Sequence, residues 1–342
     1  MYALTPQGAG LARTLAARLG GELYLPAKLA GPGENGFASL PGLMAETFHK
    51  HPGHVFVAAC GIVVRVVAPL LRGKDKDPAV VVLDQAGRHA VSLLSGHLGG
   101  GNALARVAAG ITGGTPVITT GTDTQGLPSL DLLARDNALV IENLEAVARI
   151  NGALLAGNTV PIFDPDNRLV IPAEACRLFE WVSAPQSLDP ADPSSSGVPG
   201  VAVTWHTSGL PAEALILRPR VVVAGVGCRK GLHPREIIAA IEAGCLARGV
   251  AVKSLAALAS IEDKKDDEAL AEAARLLGTQ LILYPAARLA QVEVPNPSAV
   301  VARHMGVKSV CEAAALLAAG TDRLLLTKTK TRSVTLALAL AG

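Results

Sequence analysis

Residues 95–102, Ser-Gly-His-Leu-Gly-Gly-Gly-Asn, join an apolar run at 89–94 to a stretch of helical composition at 102–109. A strand, a glycine-rich loop and a helix in this order are how α/β proteins build a polar site at the carboxyl end of a strand. Glycines let backbone N–H groups approach a ligand closely, and a helix N-terminus favours negative charge. Asn102 is expected to cap the helix. The loop therefore predicts an α/β fold that presents residues 95–102 to an anionic substrate.

Residues 225–231, Gly-Val-Gly-Cys-Arg-Lys-Gly, form a second glycine loop between a predicted strand and a predicted helix. Their spacing is not the dinucleotide fingerprint, and no acidic side chain follows about 20 residues later to bind a ribose. A Walker A loop is also excluded, because no Ser or Thr follows the lysine. Two interpretations stay open. One is a tight turn with a solvated Arg-Lys pair, and the other is an anion clamp in which Arg229 and Lys230 bind carboxylates.

The 342-residue chain is long enough for two or three domains. We predict an N-terminal α/β domain at residues 1–126, a middle segment at 127–217 and a C-terminal α/β domain at 218–342. Glycine-rich strand–helix loops occur in the first and last segments, whereas the middle one contains a polar, proline-rich loop. The predicted fold is therefore α/β, with two α/β domains separated by a small α+β domain.

Three stretches of the first domain have predictable local structure. Residues 62–71 are rich in β-branched side chains, but the strand and glycine that precede them favour a helix. Residues 79–84 and 88–94 flank a short turn that contains glycine, which predicts a β-hairpin. The hairpin's second strand then leads directly into the first glycine loop.

Composition excludes several classes of protein. With a net charge of +2 and 3% aromatic residues, the chain offers neither the charge nor the stacking surface that nucleic acids need. No apolar run approaches the ~20 residues of a membrane helix, and the N-terminus does not resemble a signal peptide. The five cysteines are scattered without a C-x-x-C pair and the histidines do not cluster, so neither a disulfide framework nor a bound metal is expected. A cytoplasmic protein is predicted.

Ser95 and His97 bring a hydroxyl and an imidazole into the first loop. A covalent serine nucleophile is disfavoured, because the G-x-S-x-G elbow is missing and residues two positions apart often point in different directions. For His97 two interpretations stay open: a general acid or base, or a histidine that holds the loop by one hydrogen bond. Because strand ends are predicted near Cys60, Ser95 and Thr120, we expect all three to face one crevice.

The chain resembles the CbiG family of cobalamin biosynthesis in both of its α/β segments. Residues 61–65, 92–100 and 116–120 are similar to the N-terminal domain of that family. Residues 223–231 and 310–315 are similar to its C-terminal domain, which itself resembles the stand-alone CobE protein. The middle segment fits the family by position and length.

This resemblance implies a cobalt-precorrin-5A hydrolase. Such an enzyme opens the ring A δ-lactone of the cobalt corrinoid and releases a two-carbon fragment as acetaldehyde, giving cobalt-precorrin-5B. Because the substrate carries its own cobalt, no cofactor is expected, and transient contact with methyltransferases of the pathway is the expected protein interaction. A non-catalytic corrinoid carrier stays open as an alternative, since the CobE-like half shows no obvious catalytic cluster. A nucleotide-dependent enzyme would rest on the second glycine loop alone.

The resemblance also suggests roles for individual residues. His97 and either Asp84 or Asp123 would move protons as water opens the lactone, and N–H groups of residues 96–101 would stabilise oxyanion charge. Gly101 departs from the family, which more often has a bulkier residue there. The residues expected to contact the substrate are Arg65, Arg88, Ser95, Gly96, Gly99, Gly100, Asn102, Thr119, Thr120, Gly225, Gly227, Cys228, Arg229, Lys230 and Glu312.

Overall fold

The computed structural model describes residues 1–192, 195–229, 231–298, 303 and 306–341. Three β-sheets, of seven, five and five strands, carry helices on their faces. The chain separates into two compact units, Met1–Leu132 and Leu133–Gly342. Among the described residues, no helix is long and apolar enough to cross a membrane.

The first unit contains the seven-stranded sheet, in the order β3-β2-β1-β4-β5-β6-β7. Every neighbouring pair is parallel except β5 and β6, which form the predicted hairpin. The strands are β1 Tyr2–Ala3, β2 Tyr24–Pro26, β3 Asn35–Phe37, β4 Gly53–Val57, β5 Ala79–Leu83, β6 His89–Leu94 and β7 Thr115–Val117. The helices are α1 Pro6–Leu19, α2 Leu40–Thr47, α3 Cys60–Val67, α4 Gly101–Thr112, α5 Gly121–Thr124 and α6 Leu130–Asp136, the last of which continues into the second unit.

Strand β5 lies at the centre of this sheet and is buried on both faces. Successive side chains of a strand point to opposite faces, so Val81 and Leu83 join one apolar cluster while Val80 and Val82 join the other. Each such side chain contributes about 1.5–3 kcal/mol by leaving water. This explains why residues 79–83 form an uninterrupted apolar run.

Helix α3 confirms the helical prediction for the β-branched run, and a 3₁₀ turn at Ala68–Leu70 extends it. Val63 and Val67, one helical turn apart, are buried against the sheet. Ile62 and Val64 are exposed on the other side. Helical packing of two valines therefore prevails over the β-propensity of the run.

The β5–β6 hairpin decides which edge of the sheet receives each loop. Val80, at the start of β5, pairs with Leu94, at the end of β6. The loop after Leu94 therefore leaves the sheet where β4 and β5 begin, and Thr120 follows at that same edge because β7 is parallel to β6. Cys60 follows the end of β4 at the opposite edge. The expectation that the ends near Cys60, Ser95 and Thr120 share one crevice is wrong for Cys60, because a hairpin reverses the chain.

The second unit begins with a five-stranded sheet in the order β10-β9-β11-β12-β8, parallel except for β8 at its edge. Helix α7, Leu144–Leu155, follows β8. The strands are β8 Leu139–Ile141, β9 Val160–Phe163, β10 Phe179–Trp181, β11 Val201–Val203 and β12 Leu215–Pro219.

The last sheet has the order β15-β14-β13-β17-β16. Strands β13, β14 and β15 are parallel, and an antiparallel hairpin of β16 and β17 completes the sheet beside β13. The strands are β13 Val222–Cys228, β14 Leu255–Ile261, β15 Gln280–Tyr284, β16 Leu324–Lys330 and β17 Val334–Leu340. The helices are α8 Pro234–Ala247, α9 Glu268–Leu276, α10 Ala286–Ala290 and α11 Val310–Ala319. The predicted α/β fold class is confirmed.

Arg218 joins three segments of the second unit around strand β12. It is buried on β12, forms an ion pair with Glu142, and donates to the carbonyl oxygens of Thr204 at 2.9 Å and His206 at 2.5 Å. His206 in turn forms an isolated β-bridge with Val250, beyond α8. A buried guanidinium is tolerated here because its donors have partners.

Candidate active site

The loop between β6 and α4 folds back on itself. Ser95 has a positive φ of 53°, which is uncommon for a residue with a side chain. The N–H of Gly101 donates to the carbonyl of Ser95, and the N–H of Asn102 donates to that of Gly96, both at 2.9 Å. Helix α4 begins at Gly101 with Gly100 as its N-cap. The expectation that Asn102 caps the helix is therefore wrong, and its side chain is available for other contacts.

These internal hydrogen bonds limit the predicted oxyanion donors. The N–H groups of Gly100 and Gly101 already donate within the loop, to the carbonyls of His97 and Ser95. An N–H that is so engaged cannot stabilise a developing oxyanion unless the loop opens. The prediction that Gly100 and Gly101 stabilise an oxyanion is therefore corrected.

The loop is also tightly packed and contains buried polar atoms that lack a partner. A Cβ at Gly99 would overlap Cβ of Ser95 and lie 2.8 Å from its carbonyl oxygen, so only glycine fits. Within the described residues, Ser92 Oγ, Ser95 Oγ and Asn102 Oδ1 are buried without a hydrogen-bond partner. Unsatisfied buried polar atoms are uncommon and costly in folded proteins. Three of them around one loop, next to a strained backbone, indicate a functional site.

His97 lies between two carboxylates. Its Nε2 is 3.0 Å from Oδ2 of Asp123, and its Nδ1 is 3.6 Å from Oδ2 of Asp131. Ser129 Oγ is 3.1 Å from Nδ1, and Thr122 Oγ1 is 3.3 Å from Nε2. The ring is largely buried, with 13% of the side chain exposed. Both ring nitrogens therefore have partners, and both neighbouring acids favour an imidazolium.

The two neighbouring carboxylates stabilise the charged form of His97. The contact with Asp131, followed by that with Asp123, raises the pKa of His97 against the opposing effect of burial. Burial acts to raise the pKa of Asp131, but contacts with His97 and Ser129 outweigh it and lower that pKa. The arrangement holds a proton on His97 over a wider pH range than an exposed histidine would.

Asp123 is itself held by the helix that follows the loop. Arg106 donates to its Oδ1 at 2.6 Å, and Asn102 Nδ2 donates to its Oδ2 at 2.8 Å and to Thr120 Oγ1 at 3.0 Å. Burial alone would raise the pKa of Asp123, but the hydrogen bonds from Arg106 and His97 lower it below its usual range. Loop, helix α4 and helix α5 therefore converge on one carboxylate.

Arg106, Ser129 and Asp131 were not identified from the sequence. Arg106 lies one helical turn after Asn102, so the i, i+4 spacing on α4 could have identified it. Ser129 and Asp131 flank the start of α6, and no local pattern connects them with His97. Among the described residues, no group of three or more His, Cys, Asp and Glu side chains could hold a metal ion.

The structure brings together His97, Asp123, Asn102, Thr120 and the loop glycines, but it does not bring Asp84 to them. Asp84 follows β5 at the opposite edge, where Oδ1 accepts the N–H of Ala86 and Oδ2 accepts that of His89, both at 2.8 Å. These bonds make it a cap of the hairpin turn. The expected pairing of Asp84 with His97 is therefore corrected.

The two cations expected in the first domain also lie away from His97. Arg65 is exposed on α3, which follows β4, and donates to the carbonyl of Gly61 at 2.8 Å. Arg88 is exposed in the hairpin turn before β6. Thr119 is exposed just before Thr120, on the His97 side of the sheet.

A cavity of about 510 Å³ opens beside the glycine loop, at the edge where β4 and β5 begin. Gly99 and Gly100 form part of its wall, and Tyr24 and His51 provide aromatic surface. A cavity of this size and mixed lining is typical of a small-molecule site. It adjoins the same loop that carries His97.

The residues predicted in the C-terminal segment separate into two groups. Gly227, Cys228 and Arg229 line a cavity of about 380 Å³ at the end of β13. Gly225 packs against α11, since a Cβ there would overlap the carbonyl oxygen of Cys311. Glu312 is fully buried, where it accepts from Asn296 and from the N–H of Lys328. Lys230 lies outside the described residues.

Known proteins match most of the chain. Residues 42–123 match the family pattern "Cobalamin synthesis G N-terminal", residues 128–219 "Cobalamin biosynthesis central region" and residues 222–339 "Cobalamin synthesis G C-terminus". The chain is 36% identical over 326 residues to the cobalt-precorrin-5A hydrolase of Salmonella typhimurium, covering 93% of this chain and 90% of that protein.

Two further relatives are similar. The cobalt-precorrin-5A hydrolase of Priestia megaterium is 32% identical over 310 residues, which is 87% of this chain and 81% of the relative. The protein CobE of a Sinorhizobium species is 32% identical over 123 residues, which is 35% of this chain and 79% of CobE. The resemblance drawn from the sequence motifs is confirmed.

Proposed function

The chain belongs to the cobalamin synthesis G (CbiG) family, and we propose that it is a cobalt-precorrin-5A hydrolase in which His97 is the central proton donor. The observation that carries the role of His97 is its position between Asp123 and Asp131 on a strained glycine loop. Buried imidazoles with raised pKa values are found at sites of proton transfer.

The proposed reaction has two bond-breaking steps. Water adds to the lactone carbonyl of ring A, the ester C–O bond breaks, and the departing oxygen takes a proton, which leaves a carboxyl and a hydroxyl group. The hydroxyl group then loses its proton and becomes a carbonyl as its carbon separates from the macrocycle. The electron pair stays on the macrocycle, which takes up a proton, and acetaldehyde leaves. Cobalt enters as part of the substrate, and we propose no resident cofactor.

His97 suits the protonation of the departing oxygen. A general acid must carry its proton at the working pH, and the two aspartates raise the pKa of His97 and so favour its charged form. Delivering that proton requires the ring to exchange one carboxylate contact for the substrate. The 3.6 Å contact between Nδ1 and Asp131 is the longer of the two and is the one we expect to be exchanged.

Asp123 acts by positioning His97. Its two oxygens accept hydrogen bonds from Arg106, Asn102 and His97. These bonds engage most of the lone pairs that could take up a further proton. A carboxylate with a lowered pKa and several donors is a weak base but a good anchor. In the proposed mechanism Asp123 sets the ring orientation, as carboxylates that bind a catalytic histidine do in other enzymes.

The experiment that tests the function uses the purified full-length chain and cobalt-precorrin-5A. Acetaldehyde is measured by its reduction with alcohol dehydrogenase and NADH, and we expect one acetaldehyde for each substrate consumed. The matched variant His97→Asn keeps a polar side chain of similar size but has no acidic proton, and it should bind substrate and release about 10²–10⁴-fold less acetaldehyde per unit time. Binding by the unsubstituted chain without acetaldehyde release would favour the non-catalytic carrier instead.

The two remaining expectations concern cellular context. Transient contact with methyltransferases of the pathway would pass on a reactive corrinoid, and a cytoplasmic location would place the chain where such contact occurs. Both stay predictions. Co-purification of a tagged chain with a pathway methyltransferase, in the presence and absence of substrate, tests the first.

A further inference from the structure

The cavity at the end of β13 is unusually rich in cations. Arg229, Lys328, Lys330 and Arg332 line it, Lys328 Nζ donates to the carbonyl of Asn296 at 2.5 Å, and none of the described residues that line the cavity is acidic. The acid closest in sequence, Glu312, is fully buried and accepts from Asn296 and Lys328. The positive charge of the cavity is therefore not neutralised by the cavity's own lining.

Strand pairing explains why these cations meet. Strand β17 is antiparallel to both β13 and β16, so the carboxyl ends of β13 and β16 lie at the same edge of the sheet. The N–H of Arg229 donates to the carbonyl of Ser333 at 3.2 Å, which fixes the end of β13 against the β16–β17 turn. Residues that are about a hundred positions apart along the chain thereby form one wall. A cluster of this kind has no signature in the local sequence.

Two residues with hydroxyl groups, Ser309 and Thr335, also line the cavity. Ser309 precedes α11, and Thr335 lies at the start of β17 with its hydroxyl 3.1 Å from the carbonyl of Gly227. Helix α11, ten residues long, begins at the cavity wall with no side-chain cap, and its dipole adds positive potential that Glu312, buried in its first turn, partly offsets. Among the described residues, no ion-pair partner is found for Arg229, Lys330 or Arg332.

We propose that this cavity binds the peripheral carboxylates of the corrinoid, through Arg229, Lys330 and Arg332, as a recognition site separate from the catalytic histidine. The identity of the ligand rests on the proposed function. A corrinoid presents several acetate and propionate groups around one ring, and cations spread across a cavity wall can bind several of them at once.

The test is a titration of the full-length chain with cobyrinic acid, a cobalt corrin whose peripheral side chains end in carboxylates. Binding is monitored by the absorbance of the corrin. The double variant Lys330→Gln/Arg332→Gln should bind about tenfold more weakly or with reduced stoichiometry, because charge-assisted contacts are lost. The matched control is Arg323→Gln, which removes an exposed cation just before β16, at the other end of the strand from Lys330. It should bind as the unsubstituted chain does.

Three results would overturn the proposal. One is unchanged affinity and stoichiometry in the double variant. Another is equal binding of the methyl ester of cobyrinic acid, which would show recognition of the ring and not of its carboxylates. The third is displacement by inorganic phosphate at concentrations comparable with the corrinoid, which would identify a phosphate site.

A folding artefact is excluded by a conservative variant. Lys330→Arg/Arg332→Lys keeps both charges and should retain binding, and loss of binding in it would contradict a charge-based site. The acetaldehyde assay separates this proposal from the hydrolase function. If the chain releases acetaldehyde but binds the corrin equally well without the cavity's charges, only the cavity proposal is overturned. If binding depends on those charges but no acetaldehyde is released, only the hydrolase function is overturned.

Discussion

Nδ1 of His97 lies 3.6 Å from Oδ2 of Asp131, the carboxylate that contributes most to the raised pKa of this histidine. Ser129 lies beside this contact, with its hydroxyl 3.1 Å from the same ring nitrogen and bonded to the other carboxylate oxygen. Asp123 occupies the opposite side of the ring. The histidine is therefore anchored from both sides, and the two anchors can be tested separately.

Removal of Asp131 should shift the pH dependence of the reaction. In Asp131→Asn the main cause of the raised pKa is lost, so the pKa of His97 moves down toward the ordinary ~6.5. Because the proposed acid must be protonated, the alkaline limb of the pH–rate profile should move to lower pH. The measurement is acetaldehyde release between about pH 5.5 and about pH 9, with ~6.5 as the reference value.

The matched control for this change is Asp136→Asn. Asp136 lies on the same helix, α6, and pairs with Arg135 at the surface. Its substitution should leave the pH profile in place. A profile of Asp131→Asn that coincides with that of the unsubstituted chain would contradict a role for Asp131 in setting the charge of His97.

The same histidine should make stability depend on pH. Its folded-state pKa is raised, so its contribution to the free energy of unfolding is fully present below the unfolded value of ~6.5 and is lost as the pH rises through the folded value. The urea midpoint of His97→Asn should therefore fall below that of the unsubstituted chain at about pH 6 and approach it at about pH 9. An equal difference at both pH values would show that His97 stabilises by packing and not by charge.

A methyl group at position 99 should disrupt the glycine loop. In Gly99→Ala the new Cβ overlaps Ser95, so the loop must move or the strain must be stored. We expect a loss of about 1–3 kcal/mol in the free energy of unfolding and a loss of acetaldehyde release that exceeds the loss of fold. Thermal unfolding and the activity assay measure the two effects.

The control for the loop variant is Gly110→Ala, eleven residues later. Gly110 is exposed within α4, and nothing lies within 4 Å of a Cβ built there. Alanine is the better helix former, so this variant should be more stable by about 0.5–1 kcal/mol and fully active. If both variants behaved alike, the tight packing around Gly99 would have no consequence for function.

Substitution of the buried arginine of the second unit should cost more stability than substitution of an exposed one. Arg218→Met leaves the carbonyls of Thr204 and His206 without their donor and Glu142 without its partner, for an expected loss of about 3 kcal/mol in the free energy of unfolding. Arg275→Met, which breaks the exposed pair with Glu272, should cost less than about 1 kcal/mol. Urea unfolding of both variants makes the comparison, and a similar cost for the two would contradict a stabilising role for the buried contacts of Arg218.

Local sequence patterns were sufficient to predict the elements on which the site is built. The apolar run of β5, the turn before β6, the glycine loop and helix α4 are all encoded by neighbouring residues, because burial and turn chemistry act over a few positions. The motif around His97 also carried the family resemblance. Gly99 illustrates the reason, since its exact fit against Ser95 involves only residues within one turn.

Only the tertiary structure decided which residues meet. The locally encoded hairpin already separates His97 from Asp84, but the parallel pairing of β7 with β6, which brings Asp123 to His97, joins strands that a whole helix separates along the chain. The contact of Asp131 with His97 and the cavity lined by Arg229 and Arg332 also bring together residues that are distant along the chain. Contacts between distant segments depend on how whole elements pack, so the sequence left Asp84 and Asp123 as alternative partners of His97, and only the structure selected Asp123 and added Asp131.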